Sequence, residues 1–227
     1  WLGYEYVVFA TQEWKKHELS YDTKNMLEIS GVVEPWFNGA DFEINKRKHS
    51  KKNPQKNPCT LLFMARMSNY KGFDIFMRLS KLFPDYKFIA AGGCTTYDPK
   101  TRIMTSGSKT YDLSGYDNLE YVGVVSGKAK RRLLASVSAL IQPTRYFEPC
   151  GLNAIEAQLS GTPVIVSNCG GYRNTVCHGK TGFLCNLDRY CVMDEEDYDG
   201  DLSDWEKVLR EREYNRLNGR YIRNRAM

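Results

Sequence analysis

At 227 residues, with 42% apolar side chains and a formal net charge of +5, the chain can build one good core and part of a second. No run approaches the roughly 18 apolar residues that a membrane span requires, and no signal-peptide pattern opens the sequence. Seven cysteines without a C-x-x-C pair and three scattered histidines disfavour a zinc centre or a disulfide framework, which points to reduced thiols in a cytoplasmic compartment.

Trp1 falls inside what reads as an element, so the chain is expected to be part of a longer protein. Tyr6 to Ala10 reads as a short buried strand, Thr11 as the cap of a helix running to about Ile29, and Asn38-Gly39 as a turn. Residues 45–58, rich in Lys, Asn and Pro, read as an exposed basic loop. Strands and helices then alternate. Cys59 to Ala65 is a continuous apolar run of the kind buried in a parallel sheet, and a loop bearing Arg66 and Lys71 leads into a helix over Phe73 to Leu82. A strand over Lys87 to Ala91 ends at Gly92-Gly93. Residues 94–118 are polar and are expected to form a long loop insertion, either functional or mobile. Leu119 to Val125, Lys128 to Ser136 and Ala139 to Ile141 read as strand, helix and strand.

The stretch from Pro143 to Val166 carries the densest chemical signal. A Pro-containing loop turns into a helix just past Pro149, Gly161 and Pro163 stop it, and Val164-Ile165-Val166 follows as a strand. A helix N-terminus leaves its first amides unpaired, so Gly151, Leu152 and Asn153 would offer N–H groups to a phosphate beyond the end of a strand. Arg66 and Lys71 lie five residues apart on a loop between strand and helix, from which they can converge on one diphosphate. Glu148 and Glu156 bracket this anion site, and carboxylates there suit sugar hydroxyls. A nucleotide sugar has phosphates in the middle and hydroxyls at both ends. Past it come the Cys169-Gly170-Gly171 loop, a turn and strand over Gly179 to Leu184, and a charged amphipathic helix pair from Asp204 to Met227. The alternation predicts an α/β fold, a Rossmann-like parallel sheet with helices on both faces. No G-x-G-x-x-G follows a first strand, which disfavours a dinucleotide oxidoreductase. Basic runs at Lys46 to Lys56, Lys128 to Arg132 and Arg210 to Arg225 read first as solvated faces, with an anionic membrane as a further partner and nucleic acid disfavoured.

Glu148 and Glu156, seven residues apart inside Glu-Pro-Cys-Gly-Leu and ahead of Ser-Gly-Thr-Pro-Val-Ile, resemble the E-x7-E signature of retaining glycosyltransferases of the GT-B fold, family 4 type. The Glu-Pro-Cys-Gly-Leu wording is also similar to that of glycogen and starch synthases. Arg66 to Gly72 resembles the family's Gly-Arg-Leu…Lys-Gly loop, with Ala65 where glycine is usual, and Leu119 to Val125 resembles its Val-x-Phe-x-Gly strand. Cys169 to Val176 resembles a Gly-Gly-x-Pro-Glu-x-Val loop with Arg173 and Asn174 in place of Pro and Glu, and Gly179 to Leu184 matches Gly-x-Thr-Gly-x-Leu.

This resemblance implies the C-terminal half of a GT-B glycosyltransferase. Residues 1–44 would end the N-terminal acceptor domain and its linker, 45–58 would be the basic loop, and 59–227 would bind the donor. Arg66, Lys71 and Glu148 would be catalytic. The backbone at Val124 would meet the base, Gly151, Leu152 and Asn153 the phosphates, and Glu156 the ribose. Retention of configuration, a UDP-, GDP- or ADP-sugar donor, and no required metal or cofactor are implied. The acceptor would be a hydroxyl of a glycan, a lipid or another molecule. A nucleotide-sugar 2-epimerase and a non-catalytic nucleotide-sugar or nucleic-acid binding protein stay open as alternatives.

Overall fold

The computed structural model describes residues 59–190 and 196–226, and the elements expected over residues 6–42, with the basic loop 45–58, lie outside them. In chain order the first half comprises β1 (Thr60–Met64), a 3-10 turn (Asn69–Lys71), α1 (Phe73–Leu82), β2 (Lys87–Ala91), β3 (Thr96–Asp98), β4 (Ile103–Ser106), β5 (Lys109–Asp112) and β6 (Leu119–Tyr121). The second half comprises α2 (Gly127–Ser136), β7 (Ala139–Gln142), α3 (Leu152–Leu159), β8 (Val164–Ser167), α4 (Tyr172–Thr175), β9 (Gly182–Cys185), α5 (Ser203–Glu211), a 3-10 turn (Glu213–Arg216) and α6 (Gly219–Ala226).

Every residue of β1, β7 and β8 is buried, as strands covered on both faces must be. Because side chains alternate across a strand, Leu61 and Phe63 of β1 enter one core with Phe73 and Phe76 of α1 and Trp205 of α5. Leu62 and Met64 enter the opposite core with Leu134 of α2, Ala154 and Ala157 of α3, and Tyr172 of α4. Helices thus cover both faces. Helix α1 begins at Gly72, in the left-handed conformation, and ends just before Pro84, which disfavours helical backbone at the residue preceding it.

Six strands pair in the order β6-β2-β1-β7-β8-β9, and every neighbouring pair is parallel. Chain progress runs outward from β1 in one direction through β2 and β6, then in the other through β7, β8 and β9. The order reverses between β1 and β7, so the loops leaving those two strands diverge and open a crevice at the carboxyl edge of the sheet.

Residues 94–118 depart from the expected loop. They fold into an antiparallel sheet, β3-β4-β5, in the connection from β2 to β6. Met104 and Tyr111 sit opposite each other and are buried, with the Tyr111 ring 5.0 Å from that of Phe73, while the next pair, Thr105 and Thr110, faces outward. The signal was present in the sequence: Gly107-Ser108 between two alternating four-residue runs is a two-residue hairpin, and Gly107 takes φ +60° at the first turn position. Polar composition obscured it, because only one face of this small sheet meets a core. The basic tail also has a structural use, since Arg223 on α6 donates to the carbonyls of Leu159 and Ser160 at the end of α3.

Candidate functional site

The crevice between β1 and β7 gathers most of the charged candidates. The loops that form it are pressed together: a Cβ on Gly72 would lie 1.9 Å from the Pro143 carbonyl oxygen, and the Tyr70 carbonyl accepts from the Arg145 amide and the Thr144 hydroxyl, each at 2.9 Å. Lys71 ends the 3-10 turn and points across to the β7 loop. Its Nζ lies 2.9 Å from Glu148 Oε2 and 2.6 Å from the Tyr146 hydroxyl, and 4.4 Å above the Tyr146 ring. Tyr146 in turn donates its hydroxyl to Glu148 Oε2 at 2.9 Å. Burial first, and then the Glu148 charge, push the Tyr146 hydroxyl well above its ordinary value, so it stays a proton donor. Arg66 is exposed and forms no ion pair or hydrogen bond among the described residues. Together with Ser68, Tyr70, Lys71, Ser106, Gly107 and Tyr146 it lines a cleft of about 530 Å³.

Glycine geometry fixes the start of α3 beside this cluster. Gly151 has φ +76°, its amide donates to Glu148 Oε1 at 3.2 Å, and a Cβ there would lie 2.2 Å from Cε1 of the buried Tyr172 ring. A Cβ on Gly170 or Gly171 would come within 2.3 Å of the Glu148 carbonyl or 2.4 Å of the Pro149 carbonyl, and the Gly171 amide bonds the Glu148 carbonyl at 2.6 Å. The paired glycines therefore let the β8–α4 turn close directly on the Glu148 loop. Among the described residues, the amides of Leu152 and Asn153 have no acceptor, as the first turn of a helix leaves them.

The remaining candidates are spread more widely. Asn153 uses its side-chain Nδ2 to donate to the Met64 carbonyl, which Gln142 also bonds, so this residue pins α3 to the end of β1. Glu156, further along α3, holds Lys130 of α2 at 2.6 Å; both side chains are about one-fifth exposed, at 19% and 22%. Val124 lies beyond the end of β6 with 75% of its surface exposed, just after Gly123, whose carbonyl accepts from Gly92. Two participants escaped the sequence reading. Tyr146 reads locally as one more aromatic, and Lys130 as one member of a solvated basic run. Tyr146 meets Lys71 from 75 residues away, and Lys130 meets Glu156 from 26, and no spacing rule connects either pair.

Cysteines near the site are structural. Burial, with the Glu148 charge beside it, pushes the Cys150 thiol up to about 11, and burial pushes that of Cys169 up to about 12, so neither is a ready nucleophile.

A family model described as "Glycosyl transferases group 1" matches residues 44–188. The chain belongs to this family. It is 28% identical over 163 residues to an uncharacterized glycosyltransferase of Methanocaldococcus jannaschii, a match covering 68% of this chain and 39% of that protein. It is 30% identical over 138 residues to glycogen synthase of Mycobacterium tuberculosis, covering 59% of this chain and 32% of the synthase. The chain thus matches less than half the length of these relatives. Among solved structures, Anabaena HepE in complex with UDP and glucose superimposes with a TM-score of 0.63 at 15% identity, covering 98% of this chain and 58% of HepE. Sucrose-phosphate synthase of Thermosynechococcus elongatus gives 0.63 at 19% identity, covering 97% and 53%. These superpositions show a shared fold.

Proposed function

We propose that this chain is the donor-binding half of a retaining glycosyltransferase that moves a sugar from a nucleoside diphosphate to a hydroxyl acceptor. The observation that carries this reading is the convergence, at the reversal point of the sheet, of Arg66, the Lys71–Tyr146–Glu148 cluster and the α3 amides that have no acceptor among the described residues. Departure of a nucleoside diphosphate from the anomeric carbon builds negative charge on the leaving oxygen. Arg66, Lys71 and the amides of Leu152 and Asn153 are preorganised to meet it, and such electrostatic stabilisation is commonly the largest catalytic contribution.

Lys71 then exchanges Glu148 for diphosphate oxygens. Glu148 keeps two other donors, the Tyr146 hydroxyl and the Gly151 amide, and so stays oriented while it accepts sugar hydroxyls and faces the positive anomeric centre. Glu156, fixed by Lys130, holds the ribose hydroxyls, and the backbone at Val124 lies against the base. Retention follows if the acceptor enters on the face that the diphosphate leaves, with no metal in the reaction. We assign residues 1–44 to the end of the acceptor domain and its linker, and residues 59–227 to the donor domain. Complexes of HepE with UDP and glucose, and with UDP-glucose, support a UDP-sugar as the first donor to try, with GDP- and ADP-sugars beside it. A glycan or lipid hydroxyl fits the acceptor role at a cytoplasmic site, and no helix among the described residues is long and apolar enough to cross a membrane.

The test is the anomeric configuration of the product, read by proton NMR during transfer. Retention, with turnover reduced about 100-fold or more in Glu148→Gln, is expected. An inverted product, or a Glu148→Gln protein at full rate, would refute the assignment.

A further inference from the structure

We infer that the β4–β5 turn is a wall of the donor cleft and that the Ser106 hydroxyl is a third ligand of the donor diphosphate, beside Arg66 and Lys71. This rests on the reading of the cleft as a nucleotide-sugar site. Ser106 and Gly107 line the same cleft of about 530 Å³ as the two cations. Strand alternation explains how. Ser106 lies two residues after Met104, on the inward face of β4, so it shares the face that packs against α1 and its preceding turn. Met104 enters the core; Ser106, at the strand's end, reaches the cleft.

Ser106 is only 5% exposed as a residue, yet it lines the cleft, and a serine hydroxyl can donate to a phosphate oxygen. A diphosphate seated on Arg66 and Lys71 would bring such an oxygen to this wall.

The hairpin is also fastened to the turn that carries Lys71. Tyr111 donates its hydroxyl to Asn69 Oδ1 at 2.9 Å, Asn69 Nδ2 donates to Asp197 Oδ1 at 2.9 Å, and Lys109 pairs with the same Asp197 oxygen at 3.0 Å. Asn69 is fully buried and begins the 3-10 turn that Lys71 ends. Ser106 is therefore held in fixed relation to Lys71, which a shared ligand requires.

The experiment is calorimetric titration of the chain with UDP, GDP and ADP, using whichever binds, for wild type, Ser106→Ala, Ser106→Thr, Lys71→Ala and Thr110→Ala. Thr110 faces outward on the same hairpin. Loss of a hydrogen bond to a charged group predicts a Kd about tenfold weaker in Ser106→Ala, near wild type in Ser106→Thr and Thr110→Ala, with unchanged thermal melting in all three. Should Ser106→Ala fail to fold, Ser106→Cys keeps the volume with a much weaker donor and is expected to weaken binding similarly. Wild-type affinity in the folded Ala or Cys variant overturns the inference. If Lys71→Ala weakens binding while Ser106→Ala does not, the donor site stands and only the role of Ser106 falls. If wild type binds no nucleoside diphosphate, both fall.

Discussion

Substituting Gly151 by alanine strains the site and the fold through one atom. Gly151 has φ +76°, where an L side chain costs about 1–2 kcal/mol. Its new Cβ would lie 2.2 Å from Tyr172 Cε1 and 2.6 Å from Cδ1, and that ring is fully enclosed, with the Gly170–Gly171 turn pressed against Glu148 and Pro149 nearby. The contact cannot be relieved by rotating an exposed side chain, so an overpacking cost of about 1–3 kcal/mol adds to the backbone strain. The expected loss is about 2–5 kcal/mol. At about 2–4 °C per kcal/mol for a domain of this size, melting falls by about 4–20 °C. Displacing Tyr172 also displaces the start of α3, so nucleoside diphosphate affinity falls in the protein that still folds. Calorimetric melting and titration measure both effects. Gly93→Ala is the control, because no atom lies within 4 Å of a Cβ placed there. If Gly151→Ala melts within a degree or two of Gly93→Ala and binds nucleotide equally well, the packing argument is wrong.

Arg145 is 3% exposed and pairs with buried Asp74 at 3.0 Å, while Asp74 also accepts the Tyr198 amide. Arg145→Leu strands that carboxylate and is expected to cost about 3–5 kcal/mol at neutral pH, measured by urea unfolding. Burial already raises the Asp74 pKa, so its native state holds the proton more tightly than the unfolded chain and stability falls as pH rises from the ordinary carboxylate range. The deficit of Arg145→Leu should therefore shrink in acid; a deficit that grows in acid would contradict this. Cys169, pushed up to about 12 by burial, works in the same direction at high pH: its stabilising share is intact below the ordinary thiol value of 9.0 and lost as pH climbs toward 12. Urea midpoints should fall between about pH 8 and pH 11, less steeply in Cys169→Ala. Parallel slopes for the two proteins would remove Cys169 from that account.

The parallel sheet was legible because a strand buried on both faces leaves an unbroken apolar run, as in Leu61 to Met64 and Val164 to Val166. Helix α1 was legible because its apolar positions recur with helical spacing between Gly72 and Pro84. The β3–β5 sheet was not, since one face meets solvent and Met104 and Tyr111 alone carry most of its core contact. At the site, sequence placed Arg66, Lys71 and Glu148 on loops that the topology brings together. It could not reveal that Lys71 meets both Glu148 and Tyr146, nor that Glu156 is held by Lys130, because these pairings exist only after the sheet has formed. Asn153 is a further case. Its backbone amide was the expected phosphate donor, and nothing in the sequence told that its side chain bonds the Met64 carbonyl.

The most direct measurement of the central claim is titration of the chain with UDP, GDP, ADP and their sugars, beside Lys71→Ala and Glu156→Ala. One base should bind, and each substitution should weaken it at least about tenfold, Lys71→Ala through lost charge on the diphosphate and Glu156→Ala through lost ribose contacts. Folded protein that binds none of these nucleotides, or that binds one with the same affinity in both variants, would contradict a donor site in this crevice.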